Sequence, residues 1–237
     1  MIRHDLAVTM PWMRAGTELV LGAVVGMSDA ELFAPSALPD WQRAHVIAHL
    51  ARNAEALTRL VHWAATGEVT PMYPNPQARA ADIEATAGRP APVLRAELNA
   101  TAEMLDERLS ALDEAGRAAT VRSALGRELP AVEIPWMRIR EVWLHAIDLD
   151  AGIGTKVFPS ALLKELLDDV AGVVGAKPDC PPVVLRATDS EDLWTLGPEG
   201  ERTEVAGTLA DLTGWVSGRT DSGLATAGPL PTLPPWI

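Results

Sequence analysis

A carboxylate and an imidazole lie four residues apart in the otherwise apolar segment REVWLHAIDLD, residues 140–150. At about 100° per residue, Glu141, His145 and Asp148 fall within a ~60° stripe of a helix, and apolar side chains cover most of the rest. A surface helix normally has the opposite proportion, a modest apolar stripe and a wide polar face. The stripe is therefore either the solvated side of the helix or a polar strip that faces an interior cavity.

A second segment, WQRAHVIAHLARNAEALTRLVHWAATG, carries His45 and His49, also four residues apart on one helix face. A single histidine in such an apolar run is more often packed in a core than bound to a metal. Facing helices of a bundle, however, assemble metal sites from histidines and carboxylates, and Glu141 and His145 offer the second half of such a site. Two histidines and one carboxylate suit a zinc ion with an open position, and they equally suit an iron(II) facial triad.

The composition indicates a globular protein with one large domain or two small ones. The chain has 237 residues, of which 48% are apolar, and it lacks the ~18 uninterrupted apolar residues of a membrane span. Its start lacks the order of a signal peptide, so we expect a cytoplasmic protein without a membrane partner. Cys180 is the only cysteine, which excludes an internal disulfide and fits a reducing compartment; this lone thiol is predicted to be inert.

The charge balance restricts the possible partners. The formal net charge is −12, from 32 acidic and 20 basic residues. Such a field repels nucleic acid and anionic lipid, so neither is an expected partner. A small anionic ligand could bind only where a metal ion or a few well-placed arginines overcome the global field.

The elements that must position these residues are mainly helices in the first two thirds of the chain. Apolar periodicity predicts long helices over about residues 11–25, 41–66, 91–115 and 135–151, which suggests a four-helix bundle. A capping box at residues 28–31 predicts a helix start, and Gly67 is a natural stop. The proline-rich residues 68–90 are predicted to form a long loop with at most one turn of helix.

The character of the sequence changes after GIGTKVFP. The segment SALLKELLDDVAGVVGA predicts a helix, PPVVLRATD and DLWTLG predict short strands, and GTLADLTGWVSGR predicts a helix that Thr208 begins and Gly218 ends. The proline- and glycine-rich tail is expected to lie against the surface. The overall fold class is therefore α+β, with a helical bundle over residues 1–153 and a small α+β domain over residues 154–237.

Five stretches in order along the chain resemble the mycothiol-dependent maleylpyruvate isomerases: WQRAHVIAHLARNAEAL, VHWAATGEVTPMYPNPQAR, PWMRIREVWLHAIDLDAG, SGRTDSG and the closing PPWI. The resemblance spans both predicted domains. It implies that the first domain is similar to the DinB metal-binding four-helix bundle. It implies a sterol-carrier-protein-2-like (SCP2-like) α+β fold for the second.

The resemblance also implies the site residues. The family's metal ligands correspond to His49, Glu141 and His145, and its essential arginine corresponds to Arg219 in SGRT, in a catalytic and substrate-binding role. Without the family, an arginine at a helix C-terminus would be only mildly favourable there. Arg79, in the segment NPQARAAD, is a second candidate to bind a substrate carboxylate. The implied cofactors are a divalent metal, zinc before others, and mycothiol.

The implied reaction is the cis–trans isomerisation of maleylpyruvate to fumarylpyruvate in aromatic (gentisate-type) degradation. The thiol would add to the double bond, permit rotation about it and be expelled, so that the enzyme needs no catalytic cysteine. Either the thiol sulfur or a substrate oxygen could occupy the open metal position. Two alternatives remain open: a transferase that moves a low-molecular-weight thiol onto an electrophile, and a non-catalytic lipid or metal carrier.

Overall fold

A computed structural model describes residues 2–236, and the chain divides into two compact units between Ala151 and Gly152. The first unit is helical. Its helices are α1 (Leu6–Gly26), α2 (Asp29–Leu32), α3 (Arg43–Thr66), α4 (Pro76–Ala87), α5 (Ala91–Ser110), α6 (Glu114–Ala118) and α7 (Ile134–Asp148). The expected α+β class and the helical N-terminal domain are confirmed.

The four long helices of the first unit form a closed bundle. Helix α3 packs against α5 and α7, and α1 packs against α7 and α5, so each long helix contacts two others. Gly16 lets α1 approach α7 closely, because a Cβ at this position would lie 2.6 Å from the side chains of Val142 and Trp143. The Trp143 indole N–H donates to the carbonyl of Trp12 at 2.9 Å, and this hydrogen bond links α7 to α1 where the two helices approach closely.

Helix α3 forms the centre of the bundle and carries one half of the candidate site. Its apolar side chains are buried against three neighbouring helices, α4, α5 and α7, because they recur at helical spacing around much of its circumference. It ends at Gly67, whose φ of 78° is the left-handed conformation that glycine adopts without strain. The expected stop at Gly67 is confirmed, as is the capping box between Ser28 and Glu31 that begins α2.

The prediction that residues 68–90 form a long loop is wrong, because this region contains the twelve-residue helix α4. The prolines flank this helix and leave its interior free. Asn75 caps the N-terminus by accepting a hydrogen bond from the Ala78 N–H at 2.7 Å, and Pro76 occupies the first turn, where its missing N–H costs nothing. The residues that remain irregular are the short stretches 67–75 and 88–90.

A short antiparallel hairpin precedes α7 and has no counterpart in the sequence predictions. It pairs β1 (Thr120–Arg122) with β2 (Glu128–Pro130), and Val121 lies opposite Leu129. Each strand has three residues and a single buried side chain, which is too short for an alternating pattern to be recognised in the sequence.

Among its described residues, the second unit has a three-stranded sheet and two α-helices, preceded by a 3₁₀ turn at Thr155–Val157. In chain order they are α8 (Ser160–Gly175), β3 (Val183–Ala187), β4 (Leu193–Leu196), β5 (Thr203–Gly207) and α9 (Leu209–Val216). The strand order is β4-β3-β5, with β3 antiparallel to β4 and parallel to β5. Helix α9 begins at a capping box formed by Thr208 and Asp211, so the expected start at Thr208 is confirmed.

The tail of the chain contributes to the edge of this sheet. Ala225 forms a β-bridge with Ala206 of β5, and Lys177 donates a hydrogen bond to the carbonyl of Pro235. Within residues 2–236, none of the helices is both long enough and apolar enough to cross a membrane.

Candidate metal centre

Three potential ligand atoms converge in the first unit, from His49 on α3 and from Glu141 and His145 on α7. Glu141 Oε2 lies 2.8 Å from His49 Nε2 and 3.3 Å from His145 Nε2. One ligand atom from each residue lies within 4.8 Å of the others. Among the described residues, this is the group of histidine, cysteine and acidic side chains whose spacing could hold a metal ion.

The local folding of two helices produces this convergence. Residues four apart on a helix share a face, which places Glu141 and His145 together on the side of α7 that packs against α3. His49 is buried on α3, and its ring meets that of His145 edge to face, with centroids 4.7 Å apart. The polar stripe of residues 140–150 therefore faces the bundle interior.

The electrostatics of Glu141 and His49 favour cation binding. Burial would raise the pKa of Glu141, but hydrogen bonds from His145 and His49 hold it well below its ordinary value. Burial lowers the pKa of His49, in spite of its hydrogen bond to Glu141. At neutral pH the group therefore contains an ionised carboxylate and a neutral imidazole, which are the protonation states that a metal requires of such ligands.

The third ligand candidate, His145, is held by a further carboxylate. Its Nδ1 lies 2.8 Å from Asp148 Oδ2. Burial would lower the pKa of His145, but its hydrogen bonds to Asp148 and Glu141 outweigh this and raise it. Asp148 belongs to the polar stripe in the sequence, where it received no role.

Arg79 and Tyr73 border the three ligand candidates. Arg79 lies on α4 and not in a loop as expected, and its Nη2 donates to His49 Nδ1 at 3.2 Å. The Arg79 guanidinium carbon also lies 5.8 Å from the centre of the Tyr73 ring. Burial raises the pKa of Tyr73, so its phenol is a neutral hydrogen-bonding group.

Sequence reasoning missed a buried polar pair beside the site. Arg138 on α7 is 1% exposed, and its Nη1 donates to the Leu50 carbonyl at 2.7 Å and to Asn53 Oδ1 at 2.8 Å. Burial lowers the pKa of Arg138 to about 10, which leaves the guanidinium charged at neutral pH. The spacing could have identified the pair, since Arg138 precedes Glu141 by three residues and Asn53 follows His49 by four.

The other histidines lie outside the group of three. His45 Nε2 lies 3.4 Å from Glu84, and its ring stacks on Trp41. His62 is half exposed near the end of α3, 3.5 Å from Glu68.

Arg219 lies in the second unit, directly after α9. Its Nη1 donates to the carbonyl of Ser217 at 2.6 Å, and its backbone N–H donates to the carbonyl of Gly214 at 2.8 Å. Both acceptors are carbonyls at the C-terminal end of α9. Gly218, with a φ of 76°, turns the chain between this helix end and Arg219. Cys180, in the same unit, is buried, and burial raises the pKa of its thiol.

Comparison with known proteins identifies the family. A sequence family described as the mycothiol maleylpyruvate isomerase N-terminal domain matches residues 13–150, and the corresponding C-terminal domain family matches residues 158–235. The chain belongs to the mycothiol-dependent maleylpyruvate isomerase family. The resemblance noted in the sequence is thereby confirmed.

Solved structures of this family are closely similar to the chain. One is described as a crystal structure of the mycothiol-dependent maleylpyruvate isomerase; it is 33% identical, has a TM-score of 0.94, and the match covers 98% of this chain and 97% of that one. The other is a histidine-to-alanine mutant of a protein with the same description, 32% identical with the same TM-score and coverage. No curated protein sequence matches the chain.

Proposed function

We propose that this protein catalyses the mycothiol-dependent cis–trans isomerisation of maleylpyruvate to fumarylpyruvate, at a zinc site formed by His49, Glu141 and His145. The convergence of these three side chains within the region that matches the isomerase N-terminal domain carries the proposal. A low-molecular-weight thiol stays reduced in the cytoplasm, which is the compartment that we propose for the reaction.

The donor set fits zinc. Two imidazole nitrogens and one carboxylate oxygen are a ligand set of catalytic zinc sites, in which a further position stays open. Iron(II) accepts the same donor types, so metal analysis of the purified protein is the direct check. A zinc ion bound there would supply Lewis-acid charge, which ionises a thiol at neutral pH or polarises a carbonyl oxygen.

The reaction needs an external nucleophile and a cation. A carbon–carbon double bond rotates only after a nucleophile has added to it, and expulsion of the nucleophile then restores the bond. The thiol of mycothiol supplies this nucleophile, so the chain needs no reactive cysteine of its own, and Cys180 is buried. Addition pushes electrons onto the conjugated carbonyl, where a positioned cation lowers the barrier.

Arg79 is suited to bind a substrate carboxylate beside the site. Its guanidinium can only donate hydrogen bonds, and it donates to His49 Nδ1. When His49 uses Nε2 as a ligand, the ring proton resides on Nδ1, which then no longer accepts from Arg79. The guanidinium is then available for a carboxylate, which it can bind through two parallel hydrogen bonds.

We assign the cation at the developing enolate to Arg219. Support comes from its place in the matched C-terminal domain and from the need for local positive charge in a chain of net charge −12. A helix-end arginine with no further role is the competing interpretation, because Arg219 bonds the carbonyl of Ser217. The family match favours the isomerase over a thiol transferase or a carrier.

The test is to offer maleylpyruvate to the zinc-loaded and to the zinc-free protein, each with and without mycothiol, and to follow the absorbance of the product. We expect turnover only when both zinc and the thiol are present. Turnover that is equal without the thiol would contradict the proposal. Failure under all conditions, with transfer of the thiol to another electrophile, would establish the transferase instead.

A further inference from the structure

The last turn of α7 contains a buried carboxylate that the proposed ligand set does not use. Asp148 is 1% exposed, and its Oδ2 lies 2.8 Å from His145 Nδ1. Burying a carboxylate costs free energy unless hydrogen bonds or charges compensate it. The His145 ring supplies one such hydrogen bond. The other ring nitrogen of His145, Nε2, lies 3.3 Å from Glu141 Oε2.

The contact determines which nitrogen of His145 carries the proton. An ionised carboxylate only accepts hydrogen bonds, so Nδ1 must be the donor in this pair. When a metal ion occupies the site, the neutral imidazole then has its lone pair on Nε2, the nitrogen that lies 3.3 Å from Glu141 Oε2. The opposite tautomer would place the Nδ1 lone pair against a carboxylate oxygen in a buried setting and would leave a proton on Nε2, where a metal could not bind.

The backbone fixes the position of Asp148 independently of the site. Its carbonyl accepts a hydrogen bond from the Ala37 N–H at 2.9 Å. The following residues are held by Arg43, whose guanidinium donates to the carbonyls of Leu149 at 2.6 Å and Asp150 at 3.0 Å. The end of α7 is thus tied to the segment before α3 and to α3 itself, and the carboxylate has a defined place.

We propose that Asp148 is the positioning residue of the metal centre, which selects the His145 tautomer with its lone pair on Nε2 and orients that nitrogen for zinc. The proposal rests on the proposed site of His49, Glu141 and His145. A carboxylate behind a metal-binding histidine also increases the electron density that the ring offers, and loss of such a partner typically reduces metal affinity by roughly 10- to 100-fold.

The experiment measures zinc affinity by competition with a chromophoric chelator in Asp148→Ala, Asp148→Asn and the wild-type protein. Affinity in Asp148→Ala should fall by roughly 10- to 100-fold. Asp148→Asn should fall less, because its amide oxygen still accepts from Nδ1 while the charge is lost. The matched control is Asp150→Asn, which removes a charge two residues away on an exposed side chain; asparagine tolerates the φ of 51° at this position.

Nitrogen-15 NMR of the histidine rings provides a second readout that does not require substrate or turnover. In the zinc-free proteins, His145 should show a protonated Nδ1 in the wild type and a mixture of tautomers in a folded Asp148→Ala variant; zinc must be absent because bound zinc would itself fix the tautomer. Wild-type zinc affinity in both folded Asp148 variants would overturn the proposal, and so would an unchanged tautomer. If the Asp148 variants lose zinc affinity as expected but the wild-type protein has no isomerase activity, only the proposed reaction is refuted. If Asp148→Ala does not fold, the zinc affinity of Asp148→Asn still tests the proposal.

Discussion

Arg138 and Asn53 form a buried hydrogen bond of 2.8 Å between α7 and α3, beside the pair that His49 and Glu141 form between the same two helices. Both contacts cross one helix interface. The arginine pair therefore stabilises the relative placement of the two helices that carry the ligand candidates. Its guanidinium remains charged, because a pKa of about 10 lies well above neutral pH.

Replacing Arg138 by methionine should therefore destabilise the first unit. The substitution leaves the side-chain oxygen of Asn53 buried without its donor, and an unsatisfied buried polar group costs about 1–3 kcal/mol. Thermal melting and urea unfolding measure the loss. The double variant Arg138→Met, Asn53→Leu should recover part of it, since both partners are then apolar. Wild-type stability in the single variant would contradict this account.

Removal of His49 should abolish metal binding. His49→Ala deletes one of three ligands, so the purified protein should contain much less than one zinc ion per chain, whereas the wild-type protein should contain about one. His45→Ala is the matched control, because His45 lies four residues earlier on α3 and contacts Glu84 instead of the other two ligand candidates. Elemental analysis of the three proteins decides. Equal zinc content in wild type and His49→Ala would refute the ligand assignment.

Much of this site could be predicted from residue types and spacing. Glu141 and His145 stand four apart in an apolar helix, and that pattern is informative because a surface helix would not produce it. His49 and His45 are harder to distinguish, since both lie on one face of α3. Tertiary packing separates them: His49 is 4% exposed and meets α7, whereas His45 stacks on Trp41.

Other features depend on contacts that a linear pattern does not contain. Helix α4 was missed because prolines before Asn75 and after Gly88 suggested a loop, although a cap and a first-turn proline are also a helix start. Strand β5 was missed because two exposed residues precede three buried ones, so it shows no alternation of apolar and polar side chains. Asp148 was visible in the polar stripe three residues after His145, a spacing that makes the two side chains neighbours on a helix, but the ring nitrogen that it contacts depends on the orientation of the His145 ring.

Cys180 should be dispensable for turnover. Burial raises the pKa of its thiol, so it is a weak nucleophile at neutral pH, and the reactive thiol comes from mycothiol. Cys180→Ser should retain most of the isomerase rate, measured with zinc content and melting temperature. A folded, zinc-loaded variant without any turnover would instead indicate that the internal cysteine takes part.

Acid should weaken the first unit partly through Glu133. Burial would raise the pKa of Glu133, but hydrogen bonds from Arg127, one of 3.1 Å, and its charge hold the pKa below the ordinary value. A depressed pKa contributes stability above the unfolded-state value, and this stability is lost as pH falls through the folded-state value. Glu133→Gln should therefore lower the melting temperature at pH 7, and the difference from wild type should shrink toward pH 3. A difference that is constant with pH would exclude this ionisation as the cause.

Arg219 provides the sharpest test of why the enzyme has a second domain. The ligand candidates and Arg79 all belong to the first unit, so this unit alone could activate a thiol and hold one carboxylate. If Arg219 stabilises the developing enolate, Arg219→Ala should keep zinc and melting temperature but lower turnover by roughly 10²–10³. Arg219→Lys should recover only part, because lysine lacks the planar two-pronged contact.

The matched control for Arg219 is Arg202→Ala, which removes an arginine from the same unit whose side chain donates to the carbonyl of Pro198 at 3.3 Å. Initial rates, zinc content and melting temperature should be measured for all four proteins. The alanine variant at Arg202 should turn over at the wild-type rate. If the alanine variant at Arg219 also turns over at the wild-type rate, Arg219 has only a structural role, and the cation at the enolate must come from the first unit.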